Sequence, residues 1–365
     1  MIVLRSVAVL TVAAAIGLLF TFQRPPVETV QHGFRGTGMD VVYDPHLVAK
    51  KVALNGIPKS LPQQPAAGPY AYQVYKNVQV VGNIHVGEFT RLMASMTTWV
   101  SPQAGCSYCH NVQNMASDEK YTKMVARRML QMTRNINVNW QSHVQNVGVT
   151  CYTCHRGMPV PSQIWFNSTP GDHFNGGMAE SEMGKNHAST VVGESALPND
   201  PFTPFLEHSA PIRVNSTTAL PSGNLSSTKQ AEWTYALMVH FSNSLGVNCS
   251  YCHNTRAFSD WSQSTPQRVN AWYGIRMARE LNNEYLASLD KVFPAYRHGP
   301  MGDVAKVNCS TCHQGVFKPL YGVSMAKNYP ELLTTDSSLP IPAAAPAPVN
   351  PASTPPTPPT THASL

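Results

Sequence analysis

The chain has 365 residues, enough for one large domain or two of ordinary size, but only 42% are hydrophobic while 30 are Pro and 23 are Gly, so much of the backbone must run as turn, loop or extended coil. The formal charge of +6 does not mark a nucleic-acid binder, because the Lys and Arg are scattered and no basic run is interleaved with aromatics. A fold this rich in loops needs something large and apolar at its centre to be stable.

In chain order, Ser6 to Phe22 comes first, a run of apolar or small residues without a charge and just long enough to span a bilayer. Residues 1–23 therefore read as a membrane anchor. A cleaved signal peptide is the alternative, disfavoured because Ala13-Ala14-Ala15 lies inside the run and no small-x-small site follows Phe22. Residues 24–69 read as an extended segment. A first half, 70–165, carries two stretches of helical character, Gly87–Val100 and Ser117–Gln141, the second capped by Ser117. Strand patterns are weak, and Val78–Val81 is the sort of short extended piece that pairs, so little sheet is predicted. A Gly/Pro/Asn/Ser-rich connector over 166–225 has little periodicity. The second half, 226–325, again holds two helical stretches, Thr228–Leu245 and Pro266–Leu289. The end, 326–365, and most strongly from Leu339, is Pro/Ala/Thr-rich and predicted to be disordered or polyproline-like.

The cysteines carry the chemistry. All eight fall in CxxCH pentapeptides: Cys106/Cys109/His110, Cys151/Cys154/His155, Cys249/Cys252/His253 and Cys309/Cys312/His313. CxxCH is the attachment signature of haem c, in which both sulfurs form thioethers to the macrocycle and the adjoining imidazole binds the iron. A zinc ribbon would need pairs of CxxC sharing one metal and no His after each. The predicted cofactors are thus four covalently bound haem c groups, with no cysteine left for a disulfide, a lipid anchor or a zinc site. Haem c is attached outside the cytoplasm, so the motifs place the chain there. Eight haem propionates would also turn the +6 into about −2, so the sequence charge is a poor guide to the surface.

The body repeats itself. CSYCHN occurs at Cys106–Asn111 and again at Cys249–Asn254, and TCHRG at Thr153–Gly157 is answered by TCHQG at Thr311–Gly315. Glu88-Phe89-Thr90 matches Glu232-Trp233-Thr234, and Met132-Thr133-Arg134 matches Met277-Ala278-Arg279. The predicted fold is mainly α with extensive irregular loops, a multihaem cytochrome of two pseudo-repeated halves, each with two helix-plus-CxxCH units.

The sixth iron ligand comes from elsewhere in the chain. Met, His and an open position are all possible, and a thioether raises the potential where a second imidazole lowers it. Outside the motifs only His143 and His240 lie in or near the helical stretches, whereas many of the 15 Met cluster there. Any single Met on a helix is more often core packing than a ligand. Arg127, Arg128, Arg134, Arg276 and Arg279 are candidates for propionate pairing, against the plainer reading of solvated helix faces.

The strings LMASMTTWVSPQAGCSYCH, VARRMLQMTRNIN, GVTCYTCHRG, EWTYALMVHF and AWYGIRMAREL with NCSTCHQG resemble the tetrahaem cytochrome subunit of purple-bacterial photosynthetic reaction centres, over roughly residues 30–325. The resemblance implies three His/Met haems and one bis-His haem. By position, Met93 would serve the Cys106/Cys109 haem, Met129 the Cys151/Cys154 haem and Met238 the Cys249/Cys252 haem. His143 would serve the haem on Cys309/Cys312. Met96 and Met132 each sit close to the same helical face as a ligand candidate, and the internal repeat pairs Met277 with Met132, so the choice between Met129 and Met132 stays open. The resemblance further implies an electron-transfer subunit and not an enzyme. It would sit on the periplasmic face of the photosynthetic membrane, bound to the reaction-centre subunits that carry bacteriochlorophyll. It would re-reduce the photo-oxidised special pair with electrons from a soluble c-type cytochrome or a high-potential iron–sulfur protein. The rivals are a multihaem carrier feeding a periplasmic reductase and a multihaem reductase with one open haem.

Overall fold

The structure, a computed structural model, describes residues 2–21, 27–31, 33, 39–167, 186–214 and 226–335. Most of the connector, and the tail beyond 335, lie outside the described residues.

The chain opens with α1 (Ile2–Leu19), whose described side chains are all exposed. Its 18 residues give about 27 Å at the helical rise, short of the roughly 30 Å of a bilayer core. Among the described residues no helix is long and apolar enough to cross a membrane. The anchor predicted to span over Ser6–Phe22 is thus not supported by the helix found there. The helix starts earlier and ends at Leu19, and the amides of Phe20 and Thr21 turn back onto Gly17 and Leu18 carbonyls.

Sheet is confined to two small antiparallel pairs, β1 (Glu28–Val30) with β2 (Val41–Tyr43) and β3 (His187–Ser189) with β4 (Ser195–Leu197). Val78–Val81 does not pair as a strand. Val80 and Val81 instead bury themselves in the core, Val81 at φ 54°.

Helix α2 (Pro45–Leu54) starts where the Asp44 side chain accepts from the His46 amide and Pro45 fills the first position, which is where proline costs nothing. After the single turn α3 (Ala71–Val74) comes α4 (Val86–Val100), which buries Arg91, Leu92, Ser95 and Trp99 along one stripe. Helix α5 (Tyr121–Asn139) begins after Lys120 and not at Ser117. The Ser117 carbonyl accepts from Lys123 Nζ and Asp118 pairs with Lys123 and Arg127, so this segment is folded back as a cap of cations before the helix starts. The short α6 (Gln141–Val144) and α7 (Cys151–His155) complete the first set.

Helix α8 (Thr228–Leu245) has a capping box from Ser227 and Gln230 and ends at Gly246, φ 64°, the left-handed position that glycine fills without strain. Helix α9 (Pro266–Glu280) passes into a π turn, Leu281–Leu286, and a 3₁₀ turn, Ala287–Leu289, so the stretch predicted as one helix to Leu289 changes its hydrogen bonding two-thirds of the way along. The five-residue α10 (Cys309–His313) follows.

One core joins Val80, Val81, Leu92, Trp99 and Leu130 to Leu320, Met325, Tyr329 and Leu332. The last group belongs partly to the stretch 326–365 that composition assigned to the tail. Arg91 lies over the Tyr329 ring at 4.2 Å and donates to the Asn328 carbonyl, and Ser95 shares a 2.8 Å bond with the Tyr329 hydroxyl. Residues 326–333 thus strap α4 and α5. A second core gathers Trp165, Phe202, Leu206, Ile275 and Ala278.

Candidate haem centre

The four CxxCH motifs take two local forms. Gly105–Tyr108 and Cys249–Tyr251 are 3₁₀ turns, while the other two motifs form α7 and α10 outright, capped by Thr150 with Thr153 and by Asn308 with Thr311. Helical spacing brings both cysteines of each pair to one face. Arg156 and Gln314 then turn left-handed at φ 51° and 48°. The next amides, of Gly157 and Gly315, donate to Trp99 O and Ser244 O, each at 2.8 Å. This pins α7 to the end of α4 and α10 to the end of α8.

Two buried asparagines fix the approach to these short helices. The Asn137 side chain accepts from Val149 N (2.7 Å) and donates to Val149 O (2.9 Å) and Leu332 O (2.8 Å). Asn282 does the same with Val307 N (2.8 Å), Val307 O (3.0 Å) and Leu206 O (2.9 Å). Each valine stands just ahead of a motif's first cysteine. One amide thereby satisfies both main-chain groups of a residue with no other secondary structure to pair with.

Five imidazoles are held alike. Nδ1 of His110 faces Met115 O (3.3 Å), that of His155 Met158 O (2.8 Å), that of His253 Phe258 O (3.0 Å) and that of His313 Val316 O (3.0 Å). Nδ1 of His143, on α6, faces Asn270 O at 3.0 Å. A carbonyl only accepts, so each Nδ1 carries the proton and each Nε2 keeps its lone pair, the form in which histidine binds a metal. Burial holds all five below the ordinary imidazole range, His313 at about 4. His240, also singled out by position, is different. It is buried with Nδ1 on Val191 O and Nε2 on Ser244 Oγ, so neither nitrogen is left for a metal.

The rings of His143 and His313 meet with centroids 6.1 Å apart and planes at 65° to each other. An iron bonded to both Nε2 atoms at about 2 Å each would separate the ring centres by about 6 Å. These two histidines line a cavity of about 1840 Å³, together with Met238, Cys249, Cys252, His253, Cys309 and Cys312. That exceeds the roughly 300–1,000 Å³ of a pocket for one small ligand. The cavity and the open Nε2 positions fit haem.

The remaining candidates lie elsewhere. Met93 on α4 is half-buried against the Leu92 and Trp99 core, with Met96 beside it. Met129 on α5 packs on Leu286, Leu289 and Val304, whereas Met132 joins none of these clusters. The first motif is the most open, with Cys106 exposed and Cys109 partly so. A hydroxyl donates to the carbonyl of each of the three ligand candidates, Thr97 to Met93 O (3.0 Å), Thr133 to Met129 O (2.9 Å) and Ser242 to Met238 O (3.2 Å). Met96, Met132 and Met277 have Val100, Ile136 and Leu281 at that spacing.

Two motifs meet directly: Cys154 and Cys312 are joined in a disulfide, where the motif reading puts both on haem. The cause is proximity: Arg156 Nη2 donates to Cys312 O (3.1 Å), and the two Cα atoms are 4.5 Å apart. The second cysteine of one motif faces the second of the other, and haem attachment at both requires this bond to be open. The other six cysteines form no disulfide. Burial pushes Cys109, Cys151 and Cys252 up to about 11 and Cys309 up to about 12. Among the described residues no three His, Cys, Asp or Glu converge as a metal site of their own.

The arginines offered for propionates are engaged with protein. Arg127 pairs with Asp118 (3.0 Å), Arg128 donates to Glu284 O (2.5 Å), and Arg279 donates to Phe205 O (2.8 Å). Arg134 binds Thr334, and Arg276 lies over Trp272 at 4.5 Å.

Residues 23–333 match the family described as the photosynthetic reaction centre cytochrome C subunit. The chain is 53% identical over 328 residues to the photosynthetic reaction center cytochrome c subunit of Rubrivivax gelatinosus, covering 89% of each chain. It is 49% identical over 328 residues to that of Thermochromatium tepidum, covering 90% of this chain and 80% of the relative. To that of Roseobacter denitrificans it is 40% identical, covering 86% and 88%.

Proposed function

Because the chain belongs to the photosynthetic reaction centre cytochrome c subunits, we propose that it re-reduces the photo-oxidised bacteriochlorophyll special pair with electrons from a soluble c-type cytochrome or high-potential iron–sulfur protein. Membership makes it a haem c protein that associates with the reaction centre at the periplasmic side of the membrane, an electron carrier rather than a catalyst.

Bound haem supplies a reversible one-electron couple whose potential the axial ligands set. The chain's own residues do the rest. Cys106/Cys109, Cys151/Cys154, Cys249/Cys252 and Cys309/Cys312 would attach four haems, and His110, His155, His253 and His313 would present Nε2 to the four irons. Met93, Met129 and Met238 would supply the remaining iron ligand to the first three haems and His143 to the fourth. Since His143 sits on α6 and His313 on α10, that ligation stitches the two halves together.

The tied Nδ1 of all five histidines is the observation that carries this reading, because it fixes tautomer and ring direction before a metal arrives. The two halves, 70–165 and 226–325, descend from one helix-pair unit. The matched asparagine clamps and the matched docking of Gly157 and Gly315 support that descent.

The test is flash-induced absorbance change in native membranes, following the haem α-bands and the bacteriochlorophyll bleach together. Haem oxidation should track recovery of the bleach and vanish when the gene is deleted. A bleach that recovers identically without the protein contradicts the proposal.

A further inference from the structure

Helices α5 and α9 stand in a fixed register. The same spacing separates Met132 from the clamp Asn137 and Met277 from the clamp Asn282, and Tyr121 and Pro266, the first residues of the two helices, keep it too. In that register the position of Met129 falls on Gly274 in α9, and that of Thr133 falls on Ala278. The methionine and the hydroxyl on its carbonyl are thus both missing from the second helix.

A glycine in mid-helix weakens the helix relative to alanine, so Gly274 needs a reason, and the reason lies against it. A Cβ at Gly274 would stand 2.6 Å from His143 Cε1, 3.0 Å from Nδ1 and 3.2 Å from Nε2. Real Cβ contacts do not come that close, so the imidazole lies where a side chain of residue 274 would begin. Asn270, one turn earlier, holds the same histidine at both ends. Its carbonyl accepts from Nδ1 (3.0 Å) and its side chain donates to His143 O at 3.3 Å.

We propose that Gly274 is the positioning residue that selects histidine over methionine at the fourth haem: by vacating the helix position that carries a methionine in α5, it opens the slot in which His143 reaches the iron opposite His313. The inference rests on the ligand assignment above. It adds that the low-potential ligand is chosen by an absent side chain on α9 and not by His143 alone.

The test uses purified, haem-loaded full-length chains: wild type, Gly274→Met, Gly274→Met with Ala278→Thr, and Gly274→Ala. Near-infrared magnetic circular dichroism counts His/Met and bis-His irons, with haem content as the control. Wild type should give three His/Met to one bis-His. Gly274→Met should lose the bis-His component with its haems intact, and Ala278→Thr should complete the change. Gly274→Ala is the milder probe, in case the larger side chain blocks folding. Its Cβ should displace His143 and so shift the bis-His signal and the lowest midpoint potential while the other three stay fixed. A wild type without a bis-His component sinks the underlying ligand assignment. A wild type at three to one whose bis-His signal survives unchanged in Gly274→Met, or in Gly274→Ala where that protein alone accumulates, overturns the role of Gly274 and leaves the assignment standing.

Discussion

At the scale of single residues, the imidazoles and methionines divide by what surrounds them. The four motif histidines and His143 have Nδ1 on a carbonyl and an open Nε2, a form that His85 shares on Gly68 O, while the more deeply buried His240 has both nitrogens bonded within the protein. The choice between Met129 and Met132, open in the sequence, gains a structural argument, since Met129 has the hydroxyl on its carbonyl and the packed face. Met129→Leu is expected to remove one His/Met component from the near-infrared spectrum, and Met132→Leu to leave all of them. Glu331 gives a second test, away from haem. It is buried with Oε1 unpaired, and burial raises its carboxyl above the ordinary 4.5. The folded chain therefore holds that proton more tightly than the unfolded one, so stability falls as pH rises from 4.5 through the raised value. Glu331→Gln should stabilise the protein at pH 7 to 8 by about 1 kcal/mol and give no advantage below pH 4.5, as read by denaturant unfolding at both values.

At the scale of elements, the helices were legible and the joints were not. The predicted stretches Gly87–Val100 and Thr228–Leu245 agree with α4 and α8 to within a residue, because amphipathic spacing and caps are local. Ser117 misled because its hydroxyl invites a cap, whereas Asp118 and the Lys123 ammonium close that segment on themselves first. The asparagine clamps were invisible for a different reason. A buried Asn that holds a valine on another segment has no periodicity to announce it, and only the structure pairs Asn137 with Val149 and Asn282 with Val307. Each clamp satisfies three main-chain groups with one amide, so Asn282→Ala should cost about 2 kcal/mol in denaturant unfolding, with Asn137→Ala similar. A cost near zero for both would show that the short motif helices are held in place by other contacts.

At the scale of the whole molecule, the cysteine motifs made the cofactor legible from five residues at a time, and the family likeness supplied the proposal for ligands that no local pattern could place. Long-range contacts were the part that composition hid. The segment 326–333 follows the second half and precedes a proline-rich end, yet Tyr329 and Leu332 are buried against α4 and α5. The disulfide between Cys154 and Cys312 is likewise a product of two motifs meeting in space. It bears directly on the central claim, that every cysteine of this chain binds haem. Peptide mapping of chain produced without haem attachment should recover the Cys154–Cys312 crosslink, because nothing else occupies those sulfurs. The decisive measurement is the intact mass of the protein purified from photosynthetic membranes, taken with a thiol-reactive probe under denaturing conditions. Four covalent haems on one chain, with no free thiol and no disulfide, is the result expected. Fewer haems, with Cys154 and Cys312 still joined, would contradict it.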